Sequence, residues 1–315
     1  MRIRLKPLVQ QVMVITGASS GIGLTTARRA GEQGIRLVLA ARNGEALASI
    51  AEDFRQRGFL AQVVVADVSR IEEVQNIADV ARQAFGGFDT WVNNAGVSIF
   101  GRLEQTSLAD HRRLFETNYW GVVHGSLVAA ESLKERGGAI INVGSELSDV
   151  AVPLQGAYSA SKHAVKGFTD ALRQELEADE YPISVTLVKP AAIDTLFVPH
   201  ARNYMEVEPK LPPPLYAPEV VAGAILYAAH HAKRDVYVGA AAKLMSLGNR
   251  TFPGLMDRYL AHFLFRQQRT ERPVPPEERP SALYQPGSDL RERGGYAGHV
   301  CESSIYTRIT TRFQH

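Results

Sequence analysis

The stretch Val12-Met13-Val14-Ile15-Thr16-Gly17-Ala18-Ser19-Ser20-Gly21-Ile22-Gly23 decides the fold. Four consecutive apolar residues, two of them valines, read as a strand buried on both faces. Three glycines follow within seven positions, and Leu24 to Gln33 then reads as a helix ended by Gly34. Glycine at a helix end accepts the left-handed backbone that stops the helix. Glycines in the turn permit a tight bend and let the backbone approach a ligand closely. The helix start offers free N–H groups and the positive end of its dipole, which suits a pyrophosphate. The spacing is Gly-x-x-x-Gly-x-Gly, and an ordinary glycine-rich strand-to-helix turn reads the same in isolation, so the rest of the chain must decide.

Working outward, six more short apolar runs alternate with helical patterns. They are Ile35 to Ala40, Ala61 to Ala66, Thr90 to Val92, Ala139 to Val143, Ile183 to Val188 and Val236 to Val238. This rhythm predicts an α/β fold: a doubly wound Rossmann-type sheet of about seven mostly parallel strands with helices on both faces. The 315 residues carry 45% hydrophobic and 22% charged residues, ordinary values for a globular protein. A net charge of +2 gives no reason to expect nucleic acid. The single cysteine, Cys301, excludes an intrachain disulfide. No apolar run reaches membrane-spanning length, and the basic start Met1-Arg2-Ile3-Arg4 lacks a signal-peptide core, so the cytoplasm is the expected location.

The second strand ends in Ala40-Ala41-Arg42-Asn43. A dinucleotide fold reads the adenosine ribose at this point, and a carboxylate there favours NAD. None is present. Arg42 can instead fork onto a 2′-phosphate, so the expected cofactor is NADP (NADPH), with NAD second.

Tyr158 and Lys162 stand four apart, on one face if the segment is helical. A phenol near pKa 10 is a poor base at neutral pH, and a nearby ammonium favours the phenolate. The pair therefore reads as a general acid/base for a carbonyl or alcohol oxygen. Ser145 ends an apolar strand thirteen residues before Tyr158, where substrate chemistry sits in open α/β sheets. Asn93-Asn94-Ala95-Gly96 ends the fourth strand, and Asn118 lies in the next helix.

With these pieces together, residues 10 to about 240 resemble the short-chain dehydrogenase/reductase family. The resemblance rests on Thr16 to Gly23, Asp67-Val68, Asn93 to Gly96, Asn118, Ser145, Tyr158 and Lys162 in order and spacing. It implies alcohol–carbonyl interconversion by hydride transfer, with Tyr158 as acid/base. Lys162 would contact the nicotinamide ribose and lower the Tyr158 pKa. Ser145 would orient the substrate oxygen, and Asn118 would anchor a water in the proton relay. Gly17, Ser19, Ser20, Gly21, Ile22 and Gly23 would cradle the phosphates. Asp67 and Val68 would lie beside the adenine, and Asn94, Ala95 and Gly96 near its ribose. Pro190, Ile193 and Thr195 match the family's stretch that holds the nicotinamide carboxamide, with Ala191 where the family carries glycine. The family also implies a homodimer or homotetramer joined through the helices bearing Asn118 and Tyr158. Epimerisation or dehydration on the same fold, and a non-catalytic NADP-binding scaffold, are the alternatives.

The resemblance confines the dinucleotide-binding and catalytic domain to residues 1–240, with a proline-rich substrate loop at about 194–218. Phe197, Tyr204, Met205 and Leu215 are candidates to line an apolar pocket for a small carbonyl or alcohol substrate. Residues 241–267 form an expected amphipathic helical extension. Its apolar positions, Leu255, Tyr259 and Phe263, and flanking arginines allow three readings: packing on the domain or another subunit, which is favoured, membrane-surface contact, or a cap over the substrate site. Residues 268–315 read as a polar, Pro/Gly-rich tail, disordered or laid over the surface as a strap. No histidine, cysteine or carboxylate spacing suggests a metal.

Overall fold

The computed structural model describes residues 3–275, 279, 281–287, 289 and 291–311. All seven expected runs are strands of one sheet: β1 (Val12–Thr16), β2 (Arg36–Ala41), β3 (Ala61–Val65), β4 (Thr90–Asn93), β5 (Gly138–Val143), β6 (Ile183–Pro190) and β7 (Asp235–Val238). Their order is β7-β6-β5-β4-β1-β2-β3, and every pairing is parallel. Strand order reverses between β1 and β4, so a crevice opens at their carboxyl ends.

Alternation along β1 shows why both faces are dry. Met13 and Ile15 join the cluster formed with Leu24, Leu47, Phe54 and Ile225 on one face. Val12 and Val14 join Val74, Ile77, Leu133 and Leu172 on the other. The covering helices are α1 (Gly21–Glu32), α2 (Gly44–Gln56), α3 (Ile71–Phe85), α4 (Leu108–Phe115), α5 (Gly121–Leu133), α6 (Gly156–Ala178) and α7 (Pro218–His230). Each fully buried Leu or Ile contributes roughly 1.5–3 kcal/mol from removal of its surface from water. Among the described residues, no helix is long and apolar enough to cross a membrane.

The part beyond residue 240 departs from the expected appendage. Helices α8 (Ala240–Thr251) and α9 (Pro253–Tyr259) lead into a π-turn, Leu260–Leu264. Leu260, Leu264 and Leu283 share a buried cluster with Tyr158, Leu147 and Val152. Arg269–Pro273 pairs with Val207–Pro209, and Val300–Cys301 pairs with Leu215–Tyr216. The described tail is thus a strap stitched into the catalytic body. Its fully buried Leu283 and its backbone pairing outweigh its polar composition.

Candidate active site

The turn after β1 is shaped by backbone clearance. Gly17 has φ +66°, and a Cβ there would lie 2.7 Å from Ala95 Cα. A Cβ on Gly23 would fall 2.2 Å from Gly17 O. Asn94 locks the same turn by donating from Nδ2 to Thr16 O and Gly17 O at 3.0 and 3.1 Å. Gly17, Ser19, Ser20, Gly21 and Ile22 line a cleft with Arg42, Asp67, Val68, Asn94, Ala95, Gly96 and Thr195. Gly23 does not line it. Its lack of a side chain lets its backbone pack against Gly17 O.

At the β2 end of the cleft, Asp67 accepts from Ser69 N and Oγ and from Arg113 at 2.6 Å. Burial works against its charge, but the Ser69 amide and the Arg113 guanidinium hold the carboxyl below the ordinary carboxylate range. Arg42 stands at the same end and no carboxylate closes β2, as expected. Its guanidinium is engaged by backbone carbonyls of Ala282, Leu283, Tyr284 and Gln285, at 2.5 to 3.4 Å. Burial lowers its pKa from the usual arginine value.

At the other end, Ser145, Tyr158 and Lys162 converge on a second cavity of about 700 Å³. Helix α6 carries Tyr158 and Lys162 on one face, and both are buried. Burial pushes the Tyr158 phenol well above its ordinary value, against a lowering by the Ser145 hydroxyl, and the nearby Glu146 carboxylate adds to the rise. Lys162 donates to Val143 O at 2.8 Å, with Nζ 5.6 Å from the Tyr158 ring centroid. Burial pushes this ammonium down to about 8. The expected lowering of Tyr158 by Lys162 is therefore not a feature of this structure, because desolvation dominates both groups.

Asn118 sits in a π-turn, Glu116–Trp120, between α4 and α5. Such bulges often mark functional positions. Its side chain accepts from Val97 N at 2.8 Å and donates to Val97 O at 2.9 Å and Ser161 Oγ at 3.2 Å. A Cβ on Gly96 would lie 3.5 Å from Asn118 Oδ1 and 4.0 Å from Lys162 Nζ, so the three meet at one point. Pro190, Ile193 and Thr195 line the catalytic cavity, and Ile22, Asn94, Gly96, Thr195 and Phe197 are shared by both spaces. Ala191 lies on the wall without disturbing β6, whose backbone still pairs with β7.

Of the four loop candidates, only Phe197 lines the cavity, edge-on to Tyr158 at 5.1 Å between centroids. Tyr204 instead bonds Asp110 at 2.7 Å, while Met205 and Leu215 are core anchors. A large part of the apolar wall comes from Leu244, Met245, Leu255, Met256, Tyr259 and Leu264, in the extension. Leu260 and Leu264 pack on the domain, while Leu244 and Leu255, each 66% exposed, form the lips of the cavity, so the extension both packs and caps. Glu146, next to Ser145, was not singled out from sequence. Burial without a partner among the described residues pushes it up to about 7. Among the described residues, no cluster of His, Cys, Asp or Glu suits a metal ion.

The comparisons agree with this geometry. The family model described as short chain dehydrogenase matches residues 11–205. An oxidoreductase of Bacillus subtilis (strain 168), YxnA, is 45% identical over 314 residues, 99% of this chain and 88% of that protein. A Burkholderia phymatum short-chain dehydrogenase/reductase solved with NAD is 28% identical, with TM-score 0.71 over 78% of this chain and 94% of that one. A Burkholderia cenocepacia short-chain dehydrogenase solved with NADP is 28% identical, with TM-score 0.68 over 82% and 99%. The chain belongs to the short-chain dehydrogenase family, oxidoreductases acting on CH–OH groups.

Proposed function

We propose that this protein is an NADP(H)-dependent alcohol dehydrogenase/carbonyl reductase for an apolar substrate. The observation that carries this reading is the convergence of Ser145, Tyr158 and Lys162 on one wall of an apolar 700 Å³ cavity that adjoins the glycine-turn cleft. The residues around the cleft suit a dinucleotide. It has the backbone clearance at Gly17, the start of α1 at Gly21, and a cation rather than a carboxylate after β2. When bound, the nicotinamide cofactor supplies or accepts the hydride.

In the reductive direction, Tyr158 gives its proton to the carbonyl oxygen as hydride reaches the carbonyl carbon, leaving an alcohol. A phenol held protonated by burial is ready for that role. Ser145 Oγ positions the same oxygen. Lys162 and Asn118 connect Tyr158 to the proton supply, and Gly96 gives the space between them. Gly17, Ser19, Ser20, Gly21 and Ile22 cradle the phosphates, Asp67, Val68 and Asn94–Gly96 flank the adenosine, and Pro190, Ile193 and Thr195 face the nicotinamide. Arg42 receives the 2′-phosphate. The substrate's hydrocarbon body lies against Met245, Met256 and Leu264 and leaves between Leu244 and Leu255. Trp120, at the end of the π-turn, and Leu127, in α5, are exposed and provide apolar contacts for a homo-oligomer.

The test is a fluorescence titration of NADPH and NADH, followed by a panel of ketones of increasing hydrocarbon size, read by loss of reduced-nicotinamide absorbance. The reading predicts tighter NADPH and a kcat/KM that rises with hydrocarbon size. Bound NADPH with no turnover of any ketone or aldehyde contradicts it.

A further inference from the structure

The described tail crosses the full length of the cofactor cleft. At the adenosine end, four carbonyls from Ala282 to Gln285 surround the Arg42 guanidinium, and Asn43 Nδ2 donates to Gly287 O at 2.9 Å. At the phosphate end, the first amide of α1, Gly21 N, donates to Arg291 O at 3.1 Å. At the nicotinamide end, Tyr296 N donates to Asp194 Oδ1 at 3.1 Å, and Gly294 lies so close that a Cβ would be 2.3 Å from Thr195 O. The strap therefore holds two donors that a phosphorylated dinucleotide needs.

It is anchored on both sides. Leu283 is fully buried, and Tyr284 Oη donates to Asp110 at 2.8 Å. Glu292 pairs with Arg28, and Arg293 bridges Glu219 and Glu302 at 2.9 and 2.6 Å. What remains open in the cleft is about 190 Å³. Even drug-sized ligands take roughly 300 Å³ or more, and a dinucleotide is larger. Asp289, paired with Arg291 at 2.7 Å, lines the same space.

We propose that this strap is a cofactor-selective latch, in which the carbonyls of Ala282 to Gln285 hold Arg42 in place of a 2′-phosphate and only a cofactor bearing that phosphate releases it. The proposal rests on the NADPH reading above. A carbonyl is a neutral acceptor that carries only a partial charge, whereas a phosphate sets a full opposite charge and a bidentate fork against the guanidinium. The 2′-hydroxyl of NADH is also neutral and has no advantage over the carbonyls it would displace. A ligand shifts an equilibrium only by its difference in affinity for the two states. The phosphate supplies that difference at Arg42, and opening there frees the chain that covers Gly21. Selectivity then arises from opening, without a carboxylate to read the ribose.

The test is hydrogen–deuterium exchange of the full-length protein, free and with NADPH or NADH at one common concentration that saturates it with NADPH, alongside dissociation constants for both. The latch predicts that NADPH raises the exchange rate of peptides covering 281–287 at least threefold, while NADH leaves it unchanged. In Arg42→Ala the same peptides exchange fast without cofactor, and NADPH adds nothing. Glu292→Gln, which loosens an anchor outside the cleft, speeds exchange there and narrows the NADPH/NADH preference. Equal affinity for the two cofactors overturns the NADPH reading. A clear NADPH preference with exchange in 281–287 unchanged or slowed, or raised equally by NADH, overturns the latch alone.

Discussion

Lys162 directs its ammonium to Val143 O, 2.8 Å away, while standing 5.6 Å from the centre of the Tyr158 ring. The two groups share a desolvated pocket, and both are driven toward their neutral forms. Lys162 carries its charge below about pH 8 and loses it above. If that charge supports proton supply to Tyr158, kcat/KM for ketone reduction falls with a single-proton slope above about pH 8. A pH–rate profile in the reductive direction checks this, and a profile flat to pH 10 counts against a role for the ammonium.

Burial pushes the Glu146 carboxyl up to about 7, from an ordinary value of 4.5. Its folded pKa is raised, so its contribution to stability is fully present below about pH 4.5 and is lost as pH rises through about 7. At pH 8 the charged carboxylate is the disfavoured form. Glu146→Gln should therefore raise Tm at pH 8, with a stabilisation of about 1–2 kcal/mol, and change little at pH 4.5. Calorimetry at the two pH values measures the difference. An unchanged Tm at pH 8 would mean that the carboxylate finds a partner in solution.

Gly23 tests the packing account of the turn. Its missing Cβ leaves room for Gly17 O, 2.2 Å from where that carbon would stand, and backbone cannot yield as a flexible side chain can. Gly23→Ala should cost about 1–3 kcal/mol by overpacking, visible as a lower denaturation midpoint, with cofactor affinity falling because the turn shifts. Full stability in this variant would show that the turn has slack.

The sheet was legible because each strand is a short apolar run and the core demands apolar residues at both faces. The convergence of Ser145, Tyr158 and Lys162 on one cavity was legible because a strand end and a four-residue helical spacing fix where those side chains stand. A strap was one of two readings of the tail, but its contacts were not legible, because it holds Arg42 and Gly21 through backbone carbonyls, which every residue type carries. Glu146 was missed for a related reason. Its shifted pKa belongs to the cavity wall, and much of that wall comes from Leu244 to Leu264, a hundred residues further on. Tyr204 and Met205 looked like pocket residues because aromatic and thioether side chains serve cores and pockets equally.

The lips of the cavity allow substrate class to be probed separately from chemistry. Leu255→Asp places a charge at an exposed apolar rim and leaves the catalytic groups untouched. KM for ketones with long hydrocarbon bodies should rise roughly tenfold, about the value of one to two buried methylenes, while short ketones are unaffected. Equal effects on both would place the hydrocarbon elsewhere.

The central claim is that Tyr158 is the proton donor in NADPH-dependent reduction. The direct measurement is single-turnover oxidation of bound NADPH by an apolar ketone in wild type and Tyr158→Phe, with the NADPH dissociation constant of each. The account predicts a rate lower by about 10²–10⁴ in the variant at unchanged NADPH affinity. A variant that turns over at the wild-type rate with NADPH bound would contradict it.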